Sequence, residues 1–465
     1  MLLLLCSNMD MGTNSQDSHF RVPELDVSLP QGSGSGPLRC MVISCVFPPE
    51  FTFSATTSAS IAEELTARGH QVTVLAPFPN KPAGKLFPGY SRRLYASHEA
   101  PEGYKLVHCF GTLAPKSLML SRLLENVSFG VTAGLRLLFG ERPDVIYSNA
   151  WPVFSTSIIV SVARLRGVPV VVSVQDVYPE SLVAQGRSRR ESFMFRVMRH
   201  IDGSIAQSSE ALIVISQRFR EIYQNTRAVP AGKIHVVHNW GDRTTVNDSR
   251  AASAHFRDTK GIPQNALLAV YAGNVGPAAG TETLVEAFEK LRDLRNAYLL
   301  IAGSGSNLTA CMARARALGL ERVVFHSPWR HEETELVLGA ADLLLLPTIG
   351  SQSLASVPSK LISYLLSGRP VVSMVLPASE TADIIRKARA GWIVPPDNPN
   401  AVAAEIRKIA SLPSQELQSL GKSGKAFAHD NLCRESNLPK VIRVLEAAGK
   451  PKQVMGRTVA ATSSQ

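Results

Sequence analysis

The chain writes one plan twice, and that repetition restricts its fold more than any single motif. In CMVISCVFPPEF, residues 40–51, an apolar run enters a proline-rich loop. A helix is predicted over 54–68, Gly69 stops it, and HQVTVLAP resumes as a second strand. Short unbroken apolar runs suit strands buried on both faces, and a helix between two of them is the crossover of a parallel sheet. Further strands fit PDVIYSN (143–149), VPVVVSVQD (168–176), EALIVIS (210–216) and KIHVVHN (233–239). The second half restarts with LLAVYAGNVG (267–276) and a helix over 281–294. AYLLIAGSGS, VVFHSP, ADLLLLPT and RPVVSMVLP follow as strands. The fold class is therefore α/β: two Rossmann-like parallel sheets with right-handed crossovers.

At 465 residues the chain is too long for one ordinary core. The segment around 240–250, WGDRTTVNDSR, is polar and aperiodic, and it reads as a linker. The expected layout is a first domain over 38–240, a linker over 241–250 and a second domain over 251–437. A last helix is expected over 438–450. Residues 1–37 and 451–465 read as a disordered leader and tail. Two sheets facing each other across a linker enclose a cleft lined by strand C-terminal ends, where ligands bind in this architecture.

The net charge is +11. It points to an anionic partner: a nucleotide, a phosphate-bearing lipid or a membrane surface. No zinc-finger spacing or long basic tract is present, so nucleic acid is not expected. The six cysteines form no C-x-x-C pair and read as reduced residues of a cytoplasmic protein. MLLLLC lacks a basic segment and is too short for a signal peptide. No run of about eighteen apolar residues exists to span a bilayer.

VPSKLISYLLSGRPVV, residues 357–372, is the most pointed stretch. It reads as a turn, a helix opening at Pro358, a stop at Gly368 and a buried strand. Leu361, Ile362, Leu365 and Leu366 give that helix an apolar face. Its free N–H groups at Ser359 and Lys360, with the Lys360 ammonium, suit a diphosphate. A plain helix start with a solvated lysine is the competing reading.

The order of these segments resembles the retaining glycosyltransferases of family 4, which have the GT-B fold. Within them it is similar to the fucosamine-transferase-like enzymes of colanic-acid and O-antigen synthesis. The matching pieces run from FPPEFTFSATTSASIAEELTARGHQVTVLAPFPN through PDVIYSNAWP, DVYPES, VYAGNVG, LIAGSGS and PSKLISY to GWIVPPDNP, covering roughly 40–440. The resemblance implies retaining transfer of a sugar from a nucleotide sugar to a glycan or polyprenyl-diphosphate-linked acceptor, without metal or other cofactor. The absence of D-x-D agrees, leaving diphosphate charge to basic residues and backbone N–H groups. Donor-binding candidates are Gly273, Asn274, Gly276, Gly303, Ser327, Ser356, Pro358, Ser359, Lys360 and Ser363. The glycines of AGNVG would let backbone approach phosphate, whereas Gly303 and Gly305 read equally as a structural turn. In the first half Glu50, Ser54 and Thr56 could face donor phosphates or acceptor. Asp176 and Glu180 are the acids placed to orient or deprotonate an acceptor hydroxyl; a helix cap and a solvated acid are the competing readings.

The chain also departs from the family. Its two glutamates fall at Ala355 and Ser363, and its basic pair at Asn274 and Ala279. The subgroup's arginine falls at Pro277, and a first-domain histidine at Asn149. A GT-B binding or assembly subunit that has lost transfer is therefore the second functional reading. Two basic amphipathic stretches, 187–201 and 114–130, make the anionic inner-membrane face a further expected partner, with peripheral, salt-sensitive attachment.

Overall fold

The computed structural model describes residues 36–450 except 51, 82–83, 114–118, 185–191, 242–249 and 355. The leader to residue 35, the tail, most of the linker, Ala355 and the arginines of 187–190 lie outside these described residues.

The first domain holds β1 (Arg39–Ile43), β2 (Gln71–Pro77), β3 (Tyr95–Glu99), β4 (Lys105–Cys109), β5 (Val145–Asn149), β6 (Val170–Val174), β7 (Ala211–Val214) and β8 (Ile234–Val236). They form one eight-stranded sheet in the order β3-β4-β2-β1-β5-β6-β7-β8. Only the β3–β4 pair is antiparallel. The second domain holds β9 (Leu267–Ala272), β10 (Ala297–Ala302), β11 (Val323–His326), β12 (Leu343–Pro347), β13 (Val371–Met374) and β14 (Gly391–Val394). Its six strands are all parallel, in the order β11-β10-β9-β12-β13-β14. In both sheets the winding reverses beside the first strand, at β1/β5 and at β9/β12. That reversal opens a crevice at the strand C-terminal ends. The α/β GT-B architecture expected from the sequence is present.

Three strands escaped the sequence reading. β3 is an exposed edge with no apolar run, β4 is buried but His108 interrupts its apolar run, and β14 buries only Val394 fully. Two helices differ in extent. The helix Thr281–Glu289 ends short of 294, and its continuation is a series of turns. The helix expected from Pro358 is Lys360–Leu366, seven residues long, with Pro358 outside it. Leu361, Ile362, Tyr364, Leu365 and Leu366 are all buried, so it is a core helix rather than a half-exposed one. Its macrodipole is correspondingly small, which removes much of the electrostatic argument for an anion site there.

Both sheets are buried on both faces. The last helix, Arg434–Gly449, crosses back to the first domain. Its Leu438, Val441, Ile442 and Leu445 share a core with Leu38, Cys40, Val42 and Tyr147. At the domain boundary Gly241 forms a parallel bridge with Cys433. Gly241 N donates to Leu432 O at 3.0 Å, and Arg434 N donates to Gly241 O at 3.1 Å.

Candidate functional site

A cavity of about 430 Å3 lies over the C-terminal ends of β1, β2, β5 and β6, at the first domain's crevice. β1 runs into Cys45 and Val46, β2 into Asn80 and Lys81, β5 into Asn149, Ala150 and Trp151, and β6 into Gln175, Asp176 and Tyr178. Thr52 and Ser54, at the start of the helix Phe53–Ala67, close one side. Arg122, Glu125 and Asn126 of the helix Met119–Phe139 close another.

Two carboxylates and two cations face this space. Asp176 is open to the cavity, but protein crowds its carboxyl on the other sides, and that desolvation pushes it up to about 6. Such a group exchanges a proton near neutral pH, the property a general base needs. Glu125 is also raised by burial, against the pull of Lys81. Lys81 Nζ lies 3.4 Å from Cys45 O. Trp151 and Tyr178 stand 4.4 Å apart at an interplanar angle of 36°. They offer an apolar platform of the kind on which a sugar ring stacks. Asn149, where the family has a histidine, donates to Ser44 Oγ at 2.9 Å and Ser58 Oγ at 3.2 Å, and accepts from Tyr147 OH at 3.1 Å. It fixes the cavity floor.

Three sequence candidates leave the site. Glu50 is buried and accepts from Asn80 N at 2.8 Å and Lys81 N at 2.9 Å, so it holds the loop that carries Lys81 and does not face a ligand. Thr56 is exposed and bonds back to Thr52 O within its own helix; the capping residue is Thr52, which accepts from Ala55 N. Glu180 meets Arg227 through both oxygens, at 2.6 and 2.7 Å. Arg227 also donates to Asp202 at 3.0 Å and to Tyr178 O at 2.8 Å. Glu180 is thus tied into a buried ion network and is not among the cavity residues. Glu125, Lys81 and the Trp151–Tyr178 pair were missed. Their roles depend on neighbours far away in sequence, and nothing local marks them.

In the second domain the loops after β9, β10 and β11 are stitched together. Gly273 N donates to Ala302 O at 2.8 Å, Val275 N to Ser304 O at 2.9 Å, and Gly303 N to His326 O at 3.0 Å. A Cβ on Gly303 would lie 1.8 Å from Gly273 O, and one on Gly305 would lie 2.1 Å from Val275 O. These glycines let two loops touch, which is the structural reading. Gly273 makes room for the Lys360 stem, whose Cε lies 1.9 Å from where a Cβ would be. Lys360 Nζ sits 5.5 Å from the Tyr271 ring centroid and has no carboxylate partner among the described residues. Burial lowers its pKa. Tyr364 OH donates to Ala272 O at 3.2 Å and accepts from Ala272 N at 2.9 Å, locking the Lys360 helix to the end of β9.

The remaining donor candidates contribute unevenly. Asn274 is exposed and Gly276 buried in the same loop, while Ser327 is exposed beyond β11. Ser356 bonds to Gln352 O and Ser363 to Lys360 O, both within their own segments. Ser359 makes no side-chain cap bond.

The two halves meet beside these sites. Val357 packs against the cores of both domains. The short helix Glu180–Ala184 touches the turn Gly350–Leu354. Arg218 of the first domain donates to Leu354 O and Ala378 O, each at 3.1 Å. Its own N–H faces the buried carboxyl of Glu380. The loop carrying Asp176 and the segment leading to Lys360 are therefore held against each other.

Residues 54–240 match the glycosyl transferase 4-like domain, and residues 266–411 match the glycosyl transferases group 1 domain. Fold and domain make-up together define a glycosyltransferase of the GT-B type. Among particular proteins, the chain is similar to WbjE of Pseudomonas aeruginosa, assigned as a glycosyltransferase: 24% identical over 70% of this chain and 80% of that one. It is similar to WcaI of Escherichia coli strain K12, assigned to colanic acid biosynthesis as a glycosyl transferase: 23% identical over 86% of this chain and 98% of that one. In structure it is similar to Anabaena HepE, solved in complex with UDP: TM-score 0.65, 14% identity, 88% of this chain and all of that one.

Proposed function

We propose that the chain transfers a sugar from a nucleotide sugar to a hydroxyl of a glycan or polyprenyl-diphosphate-linked acceptor, with retention and without a metal, in bacterial surface polysaccharide synthesis. The supporting observation is the cavity at the β1/β5 crevice, with Asp176 beside an aromatic platform and held close to the approach to Lys360. The acceptor ring stacks on Trp151 and Tyr178, and Asp176 accepts a hydrogen bond from the attacking hydroxyl. The C1–O bond to phosphate breaks as the bond to the acceptor oxygen forms. The acceptor proton passes to Asp176 or to the departing phosphate, whose charge Lys360 offsets. The assignment to the fucosamine-transferase-like subgroup rests on DVYPES and PSKLISY. It places the work in the cytoplasm at the inner-membrane face.

The second reading, a binding or assembly subunit without transfer, is favoured by the loop after β9. That loop carries no basic side chain over residues 273–280. A panel of nucleotide sugars, begun with uridine nucleotides because HepE binds UDP, separates the two by donor hydrolysis and transfer. A charge-assisted phosphate contact is worth roughly 1.5–3 kcal/mol, so Lys360→Ala is expected to weaken donor binding about tenfold or more. Donor binding without hydrolysis or transfer supports the second reading. Failure to bind any nucleotide sugar overturns both.

A further inference from the structure

The second domain's sheet begins at β11, whose outer side meets no strand among the described residues. Leu299 N donates to Arg322 O at 2.9 Å, and Gly303 N donates to His326 O at 3.0 Å. In a parallel pair, alternate residues turn both backbone groups toward the partner strand. Arg322, Val324 and His326 therefore face β10, while Val323 and Phe325 point their backbone away from it. Val323 N donates to Leu320 O at 3.1 Å. That leaves Val323 O and the N–H and C=O of Phe325 along the free edge. The other three edges are blunted. β3 is exposed and ends in His98 and Glu99, β8 has three residues, and β14 runs straight into Pro395 and Pro396. β11 reads VVFH, a sequence suited to pairing.

Two hollows flank this edge. One, of about 440 Å3, is lined by the strand and by the helix Leu308–Ala317; Met312, Ala315, Leu320 and Phe325 give it apolar walls. The other, of about 370 Å3, is lined by Arg292, Arg295 and Arg322. Both share Gly319, Leu320, Glu321 and Val323, so they meet where β11 starts. With Arg316 in the first hollow, four arginines line the pair against one acid, Glu321. Arg322 donates to the carbonyls of Leu291, Arg292, Leu294 and Ala297, and Arg292 donates to Leu318 O. None of the four meets a carboxylate among the described residues, and the nearby Asp293 is held by Arg407 at 2.7 Å.

An unpaired backbone edge beside an apolar hollow suits an extended peptide, which adds to the sheet as a strand. Uncompensated arginines at one end select an acidic one. A second copy fits poorly. Pairing β11 with its own image would lay the two helices Leu308–Ala317 on one face and set Arg314 and Arg316 of each against those of the other. A free anion would leave the apolar hollow and the edge groups unused. We propose that β11 receives an extended acidic segment of another protein. The segment adds a strand beyond the six, places alternate side chains in the hollow beside Met312 and Phe325, and sets its acidic residues against the arginines where β11 starts. Those arginines lie at the opposite end of the sheet from the loops that approach Lys360, so docking does not depend on transfer.

The test is fluorescence anisotropy of the full chain with labelled peptides in which valine and threonine alternate and aspartates stand at one end or the other. An acidic peptide should bind at low salt, and its counterpart with lysine for aspartate should bind about tenfold or more weakly. Arg295→Glu combined with Arg316→Glu should lose about tenfold or more of the binding, with an unchanged thermal melt because both residues are exposed. Hydrogen exchange at the Phe325 amide should slow when the peptide is present, which attraction between surface charges alone would not cause. Failure of every acidic peptide to bind overturns the proposal, as does equal binding by the arginine variant. Equal binding of a peptide with proline at its centre also overturns it, since that shows attraction without strand pairing. A dimer in solution with a protected Phe325 amide would give the edge to a second copy and overturn it too.

Discussion

Asp176, in the loop after β6, and Glu180, at the start of the helix that follows, do unlike work. The first is an acid facing a cavity, and the second is bound to a buried arginine. Asp176→Asn is expected to lower transfer by about a hundredfold or more while leaving the melt intact. Because the protein crowding one side of the exposed Asp176 carboxyl raises it to about 6, wild-type activity should climb with pH around that value, and the asparagine variant should lack this limb. A pH–rate profile decides. The stability consequence has the opposite slope. A carboxyl raised on folding favours the native state below its unfolded pKa, and that contribution fades as pH rises through about 6. Glu180→Ala should leave Arg227 short of a partner and cost on the order of 3 kcal/mol, the low end for a broken buried pair because Asp202 remains; denaturant unfolding measures it. From sequence the two acids looked alike, since each sits at a strand end. Only Arg227, distant in the chain, tells them apart.

At the scale of elements, the buried parallel strands were legible because each is an unbroken apolar run between turn signals. The edge strand β3 was not, since a sheet edge half in water carries no such run. The PSKLISY segment was legible as a helix but not as a short one buried all round. Its periodic leucines are the same whether one face or all faces meet protein. The paired loops AGNVG and AGSGS show the same limit: their glycines were visible, and the contact that requires them was not. Gly303→Ala tests that contact. Its Cβ would collide with Gly273 O, and its φ of +152° is one that other residues rarely adopt. A loss of about 1–3 kcal/mol is expected from the forced shift. Thermal melts should show it, and donor binding should weaken as the Gly273–Lys360 packing moves.

For the whole molecule, the clasp around Arg218 sets how firmly the halves hold together. Removing its bonds to Leu354 O and Ala378 O should shift the balance toward open forms by about tenfold or more, at roughly 1.5–3 kcal/mol per charged hydrogen bond. Small-angle scattering should record a larger radius of gyration for Arg218→Ala, and the apparent donor affinity should fall with it. Unchanged scattering would show that other contacts hold the cleft. The way the halves are joined carries a mechanical consequence. The chain passes between them at Gly241 and again at Cys433, and these two passages are bridged side by side. One tether would let the halves swivel and twist like a ball on a string. Two tethers fastened together behave as a door on its pin, leaving one easy swing. The pin also touches the machinery, since a Cβ on Gly241 would press on Ile362 and Leu366 at 3.1 and 3.2 Å. Each swing therefore bears directly on the short helix that carries Lys360.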